Sequence, residues 1–238
     1  MILLIDAGNS RVKWAIYQQG RWLADGVVAH DAVPQLAEEW RRWPLTRALA
    51  SSVAEPQVGA ALQAALPCPV QWVHAQVAFG DVTNHYRQPA EQGADRWLAV
   101  LAARQICAGD VVVACAGTAL TVEALTAEGV YLGGCILPGY RLMLASLARG
   151  TANLDRLAGE VAAFPQGTAD ALATGVVDAM VGAIERMCLR LAEKTGRGRP
   201  QLLLTGGDAA QLAPWLAEPV RIVDNLVLMG LLRVAGEQ

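Results

Sequence analysis

Ile5-Asp6-Ala7-Gly8-Asn9-Ser10 and Ala114-Cys115-Ala116-Gly117-Thr118-Ala119 are echoes of each other, and their reading decides how this chain is built. The step from Asp6 to Cys115 is 109 residues, close to half of the 238 in the sequence. Each stretch closes a short apolar run, Ile2 to Ile5 in one case and Val111 to Ala114 in the other. Each then passes through a small-residue turn into a segment of alternating apolar positions: Val12, Trp14 and Ile16, then Leu120, Val122 and Ala124. Alternation with period two bounded by turn residues predicts strand, tight turn, strand. A third strand is expected after each hairpin, over 21–29 and over 129–137. Helical spacing places helices over 33–43, 56–65 and from Gly93 to Cys107 in the first half, and over 139–149 and 168–194 in the second. Further strands are expected at 46–54, 70–77, 201–204 and 220–223, with a short helix after Asp208 and another at the end. A repeat of this length implies two α/β lobes of like topology, 1–109 and 110–238, with a ligand cleft between them.

The bulk properties narrow the function. Hydrophobic residues make up 54% and charged residues 17%, enough apolar material for a sizeable core. The net charge of −3 spreads no basic field over the protein, which argues against a nucleic-acid partner. The short basic clusters Arg41-Arg42 and Arg197-Gly198-Arg199 read as solvated surface. Asp6 interrupts the opening apolar run too early for a secretory signal, and no stretch approaches the roughly 20 apolar residues of a membrane span. The five scattered cysteines read as free thiols of a reducing cytoplasm, and the three distant histidines form no metal pattern.

The turns carry the chemistry. Successive backbone N–H groups in Gly8-Asn9-Ser10 can form a nest for anionic oxygens, and Lys13 on the returning strand can set an ammonium on a phosphate. Asp6 at the strand end suits a magnesium ion held through water. Gly117-Thr118-Ala119 offers a second phosphate grip, and Thr205-Gly206-Gly207-Asp208 a flat backbone surface for a base or ribose. A single such turn is usually only a hairpin. Two at matching places in a duplicated chain, followed by a late Gly-Gly turn, are the arrangement of actin-like phosphotransferases, whose lobes have a ribonuclease H-like fold. Gly93-Ala94-Asp95-Arg96 opens a helix. Its plain reading is a capping Asp95 and a solvated Arg96. Its functional reading is a general base for a substrate hydroxyl beside an anchor for an anionic group.

Four motifs in order, Asp6-Ala7-Gly8-Asn9-Ser10-x-x-Lys13, Gly93-Ala94-Asp95-Arg96, Gly117-Thr118-Ala119-x-Thr121 and Gly133-Gly134-x-Ile136-x-Pro138-Gly139, resemble the type III pantothenate kinases, the family of the Bvg accessory factor proteins. The resemblance runs from residue 1 to about 230. It implies a homodimeric cytoplasmic enzyme that phosphorylates pantothenate with ATP and Mg²⁺ in the first step of coenzyme A biosynthesis. The segment Asp6, Ala7, Gly8, Asn9, Ser10, Arg11, Val12 and Lys13 would hold the ATP phosphates, with Thr118 also on ATP. Tyr86, Gly93, Ala94, Asp95, Arg96 and Thr168 would hold pantothenate, and Asp95 would accept the proton of its primary hydroxyl. For Tyr86 the plain reading is a packed loop aromatic, and for Thr168 a helix N-cap. The helix over 168–192 is a dimer-interface candidate or a core element.

One position departs from the family. Where its members commonly have an aspartate linked to K⁺ or NH₄⁺, this chain has Cys115, and a thiol is a poor ligand for a hard cation. Either the enzyme dispenses with the monovalent cation or other groups replace the ligand. Glu123 stands where an aspartate is usual, which keeps the charge and moves it by one methylene. Two alternatives share these residues: a kinase of the same fold acting on another small hydroxylated substrate, and a nucleotide-binding regulatory relative without kinase activity, for which Cys115 is the sequence hint.

Overall fold

The structure, a computed structural model, describes residues 1–217 and 219–236. The chain divides into two compact units, Met1–Ile106 joined by the segment from Asn225, and Cys107–Asp224.

The first unit is built on strands β1 (Ile2–Ala7), β2 (Arg11–Gln18), β3 (Arg21–Ala29), β4 (Arg47–Ser52) and β5 (Val70–Trp72), in the sheet order β3-β2-β1-β4-β5. β1, β2 and β3 are antiparallel, whereas β4 and β5 run parallel to β1. Parallel neighbours need crossovers, and the chain supplies helices α1 (Leu36–Arg41) and α2 (Pro56–Ala65) for them. β1 is a nearly continuous apolar run because both its faces are covered. Leu3, Ile5 and Ala7 pack with Val12, Trp14 and Ile16 against Val33, Leu36, Trp40, Val58 and Leu62. The other face carries Leu4, which is fully buried, and Asp6. A small hairpin, β6 (Ala78–Phe79) and β7 (Val82–Asn84), precedes helix α3 (Ala94–Ile106).

The second unit repeats the plan. Strands β8 (Val111–Ala116), β9 (Ala119–Leu125) and β10 (Val130–Pro138) are antiparallel, and β11 (Gln201–Thr205) and β12 (Val220–Ile222) run parallel to β8. Their order, β10-β9-β8-β11-β12, is that of the first unit. Helices α4 (Tyr140–Gly150), α5 (Thr168–Thr195) and α6 (Ala209–Leu212) accompany them. α5 presents Leu172, Val176, Met180, Ile184, Cys188 and Leu191 at four-, four-, four-, four- and three-residue steps, one apolar stripe. Much of that stripe meets Val112, Ala114, Leu120 and Val122 in the core of the unit.

Two sequence expectations change in detail. The strand expected over 70–77 stops at Trp72, and the helix expected over 33–43 opens as a 3₁₀ turn, His30–Gln35, because Pro34 has no N–H to give to a helical ladder. The last helix, α7 (Leu226–Val234), falls within the expected second lobe, 110–238, but packs with the first unit. Its Gly230 lies against α3 so closely that a Cβ there would stand 2.1 Å from the Leu98 carbonyl oxygen. Arg233 reinforces the contact by donating to the Leu101 carbonyl at 2.6 Å and pairing with Asp81. Of the C-terminal residues in the expected lobe, 237 and 238 lie outside the described residues, as does 218.

Candidate active site

Strand register assembles the first part of the site. Asp6 stands opposite Lys13 on β2 and opposite Ser51 on β4, so all three occupy one face at one end of the sheet. The Ser51 hydroxyl donates to Asp6 Oδ1 at 3.2 Å. Between β1 and β2 the chain turns through Gly8, Asn9 and Ser10, closed by Gly8 N–H donating to the Arg11 carbonyl at 3.0 Å. His30 adds a side-chain bond from outside the turn, its Nε2 donating to the Gly8 carbonyl at 2.9 Å. Asn9, Ser10 and Arg11 are exposed, whereas the Ala7 and Val12 side chains are core, so only the backbone of those two faces the turn. Gly8 keeps a negative φ, and a Cβ there would meet its nearest neighbour at 3.4 Å. The gain from glycine at this point is therefore an open approach to the backbone.

The second part comes from the start of α3. Asp95 accepts the Arg96 N–H at 2.8 Å on Oδ1. A Cβ on Gly93 would stand 2.6 Å from that same Oδ1, so glycine at 93 leaves the space the carboxylate occupies. Burial pushes the Asp95 carboxyl above the ordinary aspartate range, against the pull of Arg96. Burial also raises Asp6, to about 6, and the negative charge of Asp95 adds to it while Ser51 and Lys13 pull the other way. Two carboxylates on separate elements thus feel each other's charge.

Arg96, a surface residue on its plain reading, is instead only 4% exposed. Its Nη1 donates to the Tyr86 hydroxyl at 3.2 Å, and its guanidinium carbon stands 5.6 Å from the Tyr86 ring centre. A desolvated guanidinium stacked on an aromatic ring is fixed in place rather than sampling solvent. Tyr86 is half-buried, consistent with neither a free loop aromatic nor a core one.

The remaining predicted residues lie in the second unit. Thr118 sits in the β8–β9 turn, where Gly117 N–H donates to the Ala119 carbonyl at 3.1 Å and the Thr118 carbonyl accepts from Gly139 at 2.9 Å. Gly206, at φ +104°, approaches the end of β8 so closely that a Cβ would lie 2.1 Å from the Ala116 carbonyl oxygen. Only glycine is comfortable there, while Gly207 beside it meets nothing within 4 Å and leaves the outer side of the turn open. Thr168 is the first residue of α5 rather than its cap, a place taken by Gly167. It borders an apolar cavity of about 400 Å³ with Met143, Leu147, Leu172 and Val176.

Magnesium fits the donor set. Asp6 offers a carboxylate, a hard oxygen donor of the kind magnesium takes, at the end of β1. Among the described residues no cluster of three or more His, Cys, Asp and Glu could hold a metal ion. The monovalent cation fits poorly. Cys115 stands opposite Thr121 and Thr205 at the end of β8, where the corresponding residue of the first unit is Asp6. Sulfur there offers a soft, weak donor to a hard ion.

A sequence model of the type III pantothenate kinases matches residues 2–190. The type III pantothenate kinase of Chromobacterium violaceum is 66% identical over 236 residues, covering 99% of this chain and all of that one. The chain belongs to the type III pantothenate kinase family. The enzyme of the same name from Dechloromonas aromatica is 43% identical over 99% of both chains. Among solved structures, a protein from Campylobacter jejuni described as a Baf family transcriptional activator aligns with a TM-score of 0.63 at 24% identity, over 98% of both chains. A protein from Sinorhizobium meliloti described as a 2-dehydro-3-deoxygalactonokinase aligns with a TM-score of 0.63 at 17% identity, over 99% of this chain and 98% of that one. These two likenesses concern the fold alone. Sequence reading did not single out Ser51, which bonds Asp6, or the His30 contact to the turn. Ser51 alone left a signal, a small polar residue at the end of a buried strand.

Proposed function

We propose that this protein transfers the γ-phosphoryl group of ATP to the primary hydroxyl of pantothenate, giving 4′-phosphopantothenate and ADP, the first step of coenzyme A biosynthesis. The observation that carries the reading is the Asp95–Arg96 pair. A carboxylate of raised proton affinity stands one residue from a buried guanidinium, near enough to Asp6 for its charge to be felt there. Pantothenate needs both groups, since it has a hydroxyl to be activated and a carboxylate to be held. Asp95 orients the hydroxyl and accepts its proton, a task for which a carboxyl above the usual range is better matched than an ordinary one. Arg96, steadied by Tyr86, pairs with the substrate carboxylate. The Gly8–Ser10 backbone and Lys13 receive the phosphates, and Thr118 contacts ATP from the second unit. Thr168 touches pantothenate. Asp6 holds Mg²⁺ through water, and the ion neutralises charge on the phosphates. Among the described residues no helix is long and apolar enough to cross a membrane. We place the enzyme in the cytoplasm, which its free cysteines support, and take it to act as a homodimer. The exposed Leu157 and Phe164 and the absence of a buried residue on α4 support self-association.

The direct test is ADP release with ATP, Mg²⁺ and pantothenate, with the mass of the product measured. A product heavier than pantothenate by one phosphoryl group is expected, and ATP binding without product would remove the assignment. Run in parallel in Na⁺, K⁺ and NH₄⁺ buffers, the rates are expected to agree within about twofold, because Cys115 is unsuited to the cation. Activation by K⁺ alone would show that other oxygens replace the missing carboxylate. Arg96→Ala is expected to raise the KM for pantothenate by about 10–100-fold, the worth of a charged hydrogen bond. The KM for ATP should stay within about threefold, and an unaltered pantothenate KM would take Arg96 out of substrate binding.

A further inference from the structure

The Tyr86–Arg96 contact depends on a residue that no part of the proposed function uses. Asn84, at the end of β7, is 5% exposed, and its side chain is bonded on every side. Nδ2 donates to the Gln76 carbonyl at 2.9 Å and to Gln92 Oε1 at 2.8 Å, and Oδ1 accepts the Tyr86 N–H at 2.9 Å. The orientation of both amides follows from these partners. A backbone N–H can only donate, so it must face Oδ1, and a backbone carbonyl can only accept, so it must face Nδ2. The second Nδ2 hydrogen then requires the oxygen of Gln92. This leaves Gln92 Nε2 buried with no hydrogen-bond partner among the described residues, so the arrangement is kept at some cost to stability.

Three pieces of irregular chain therefore converge on one amide: the segment before β6, the loop at Tyr86, and Gln92 immediately before Gly93. Two of the three flank the substrate groups. The Asn84–Tyr86 bond sets the backbone from which the Tyr86 ring projects, and the ring sets Arg96. The Asn84–Gln92 bond sets the chain entering Gly93, whose missing Cβ makes room for Asp95. The bare loop lacks regular secondary structure to do this, apart from a single 3₁₀ turn at Pro89–Glu91.

We infer that Asn84 is a positioning residue for substrate recognition, holding Tyr86, and through it Arg96, in the geometry that receives the pantothenate carboxylate. The inference rests on the reading that Tyr86 and Arg96 bind this substrate. Asn84→Ala removes all three bonds. Asn84→Asp keeps an acceptor for the Tyr86 N–H and lets Gln92 rotate its unpartnered Nε2 onto the new oxygen, but it sets that oxygen against the Gln76 carbonyl and buries a charge, so its rescue is partial.

The test is steady-state kinetics of N84A, N84D, Y86F and the double variant N84A/Y86F. N84A is expected to raise the pantothenate KM about tenfold with the ATP KM and kcat within about twofold, and N84D to restore part of the difference. In the Y86F background, where the hydroxyl to Arg96 is gone, N84A is expected to add less than about twofold, the signature of residues that act in series. If N84A does not yield folded protein, Asn84→Ser is measured in its place, with the same pattern expected. Independent, multiplying effects of N84A and Y86F, or a parallel fall in kcat and rise in both KM values, would overturn the inference and leave Asn84 a loop anchor only. If Y86F itself leaves the pantothenate KM unchanged, the substrate reading fails rather than the positioning one.

Discussion

Asp95→Asn is expected to lower kcat by about 10²–10⁴-fold, the range over which positioned acid–base groups act, while ATP binds within about twofold of the parent. The substitution is nearly isosteric and keeps an oxygen to accept the Arg96 N–H that Asp95 now accepts at 2.8 Å. Neither the start of α3 nor the space left by Gly93 is disturbed. What is lost is the proton acceptor. The same variant has a second signature, because the charge of Asp95 helps to raise Asp6. Removing it should move the Asp6 titration downward from about 6. Turnover measured under saturating ATP, with ATP affinity taken from calorimetry, checks the first part, and a carboxylate-resolved NMR titration checks the second. Turnover unchanged from the parent would remove Asp95 from the role of base and leave it an orienting group at most.

Asp6→Asn is expected to make the ligand-free protein more stable and the enzyme nearly inactive. The folded-state value of about 6 lies above the ordinary aspartate value of 3.8, chiefly through burial. Between those two values the folded protein binds more protons than the unfolded chain, so stability falls as pH rises through the window. The fall is about 1.4 kcal/mol for each pH step of one across that window, and the loss persists at neutral pH. Asparagine removes the charge that burial and Asp95 disfavour, and it still accepts from Ser51. The melting temperature at pH 7.5 should therefore rise by several degrees, at about 2–4 °C per kcal/mol for a chain of this size. Near pH 4 the variant and parent should converge. Activity should fall by about 10²–10³-fold, as for loss of a preorganised charge-stabilising group, with weaker stabilisation by Mg²⁺ and ATP. Thermal melts at the two pH values and turnover against Mg²⁺ concentration decide it. A lower melting temperature at pH 7.5 would show that Asp6 is stabilised by its neighbours rather than strained by them.

Both effects express one design. Asp6 and Asp95 are both held where burial disfavours their charged forms, and the cost is carried by the rest of the unit. β1 is buried on both sides and pinned between β2 and β4, so the carboxylate at its end has little freedom to escape into solvent.

The sequence by itself determined the duplicated strand-turn-strand plan, because period-two alternation and small-residue turns are local signals that tertiary packing reinforces. It also set Asp6 and Lys13 about one hairpin turn apart and Asp95 with Arg96 at a helix start, the residues proposed for the site. The start of α3 lies one residue from its expected position, since Gly93 punctuates the chain there. Other features were decided only when the chain closed on itself. Ser51 joins Asp6 because two parallel strands 45 residues apart share a register. Arg96 is buried because Tyr86 covers it, and a sequence offers no count of what will lie over a charged side chain. Asn84 reads as an ordinary loop residue until its three partners are seen, since Gln76, Tyr86 and Gln92 are drawn together by hydrogen bonds and not by any periodic pattern. The final helix left the half of the chain it follows because Gly230 lets it approach Leu98 of α3, a fit of shapes between segments far apart in the sequence. Local chemistry is written along the chain, whereas burial, register and close approach are properties of pairs of segments, and these set the proton affinities and fixed geometry on which the reaction depends.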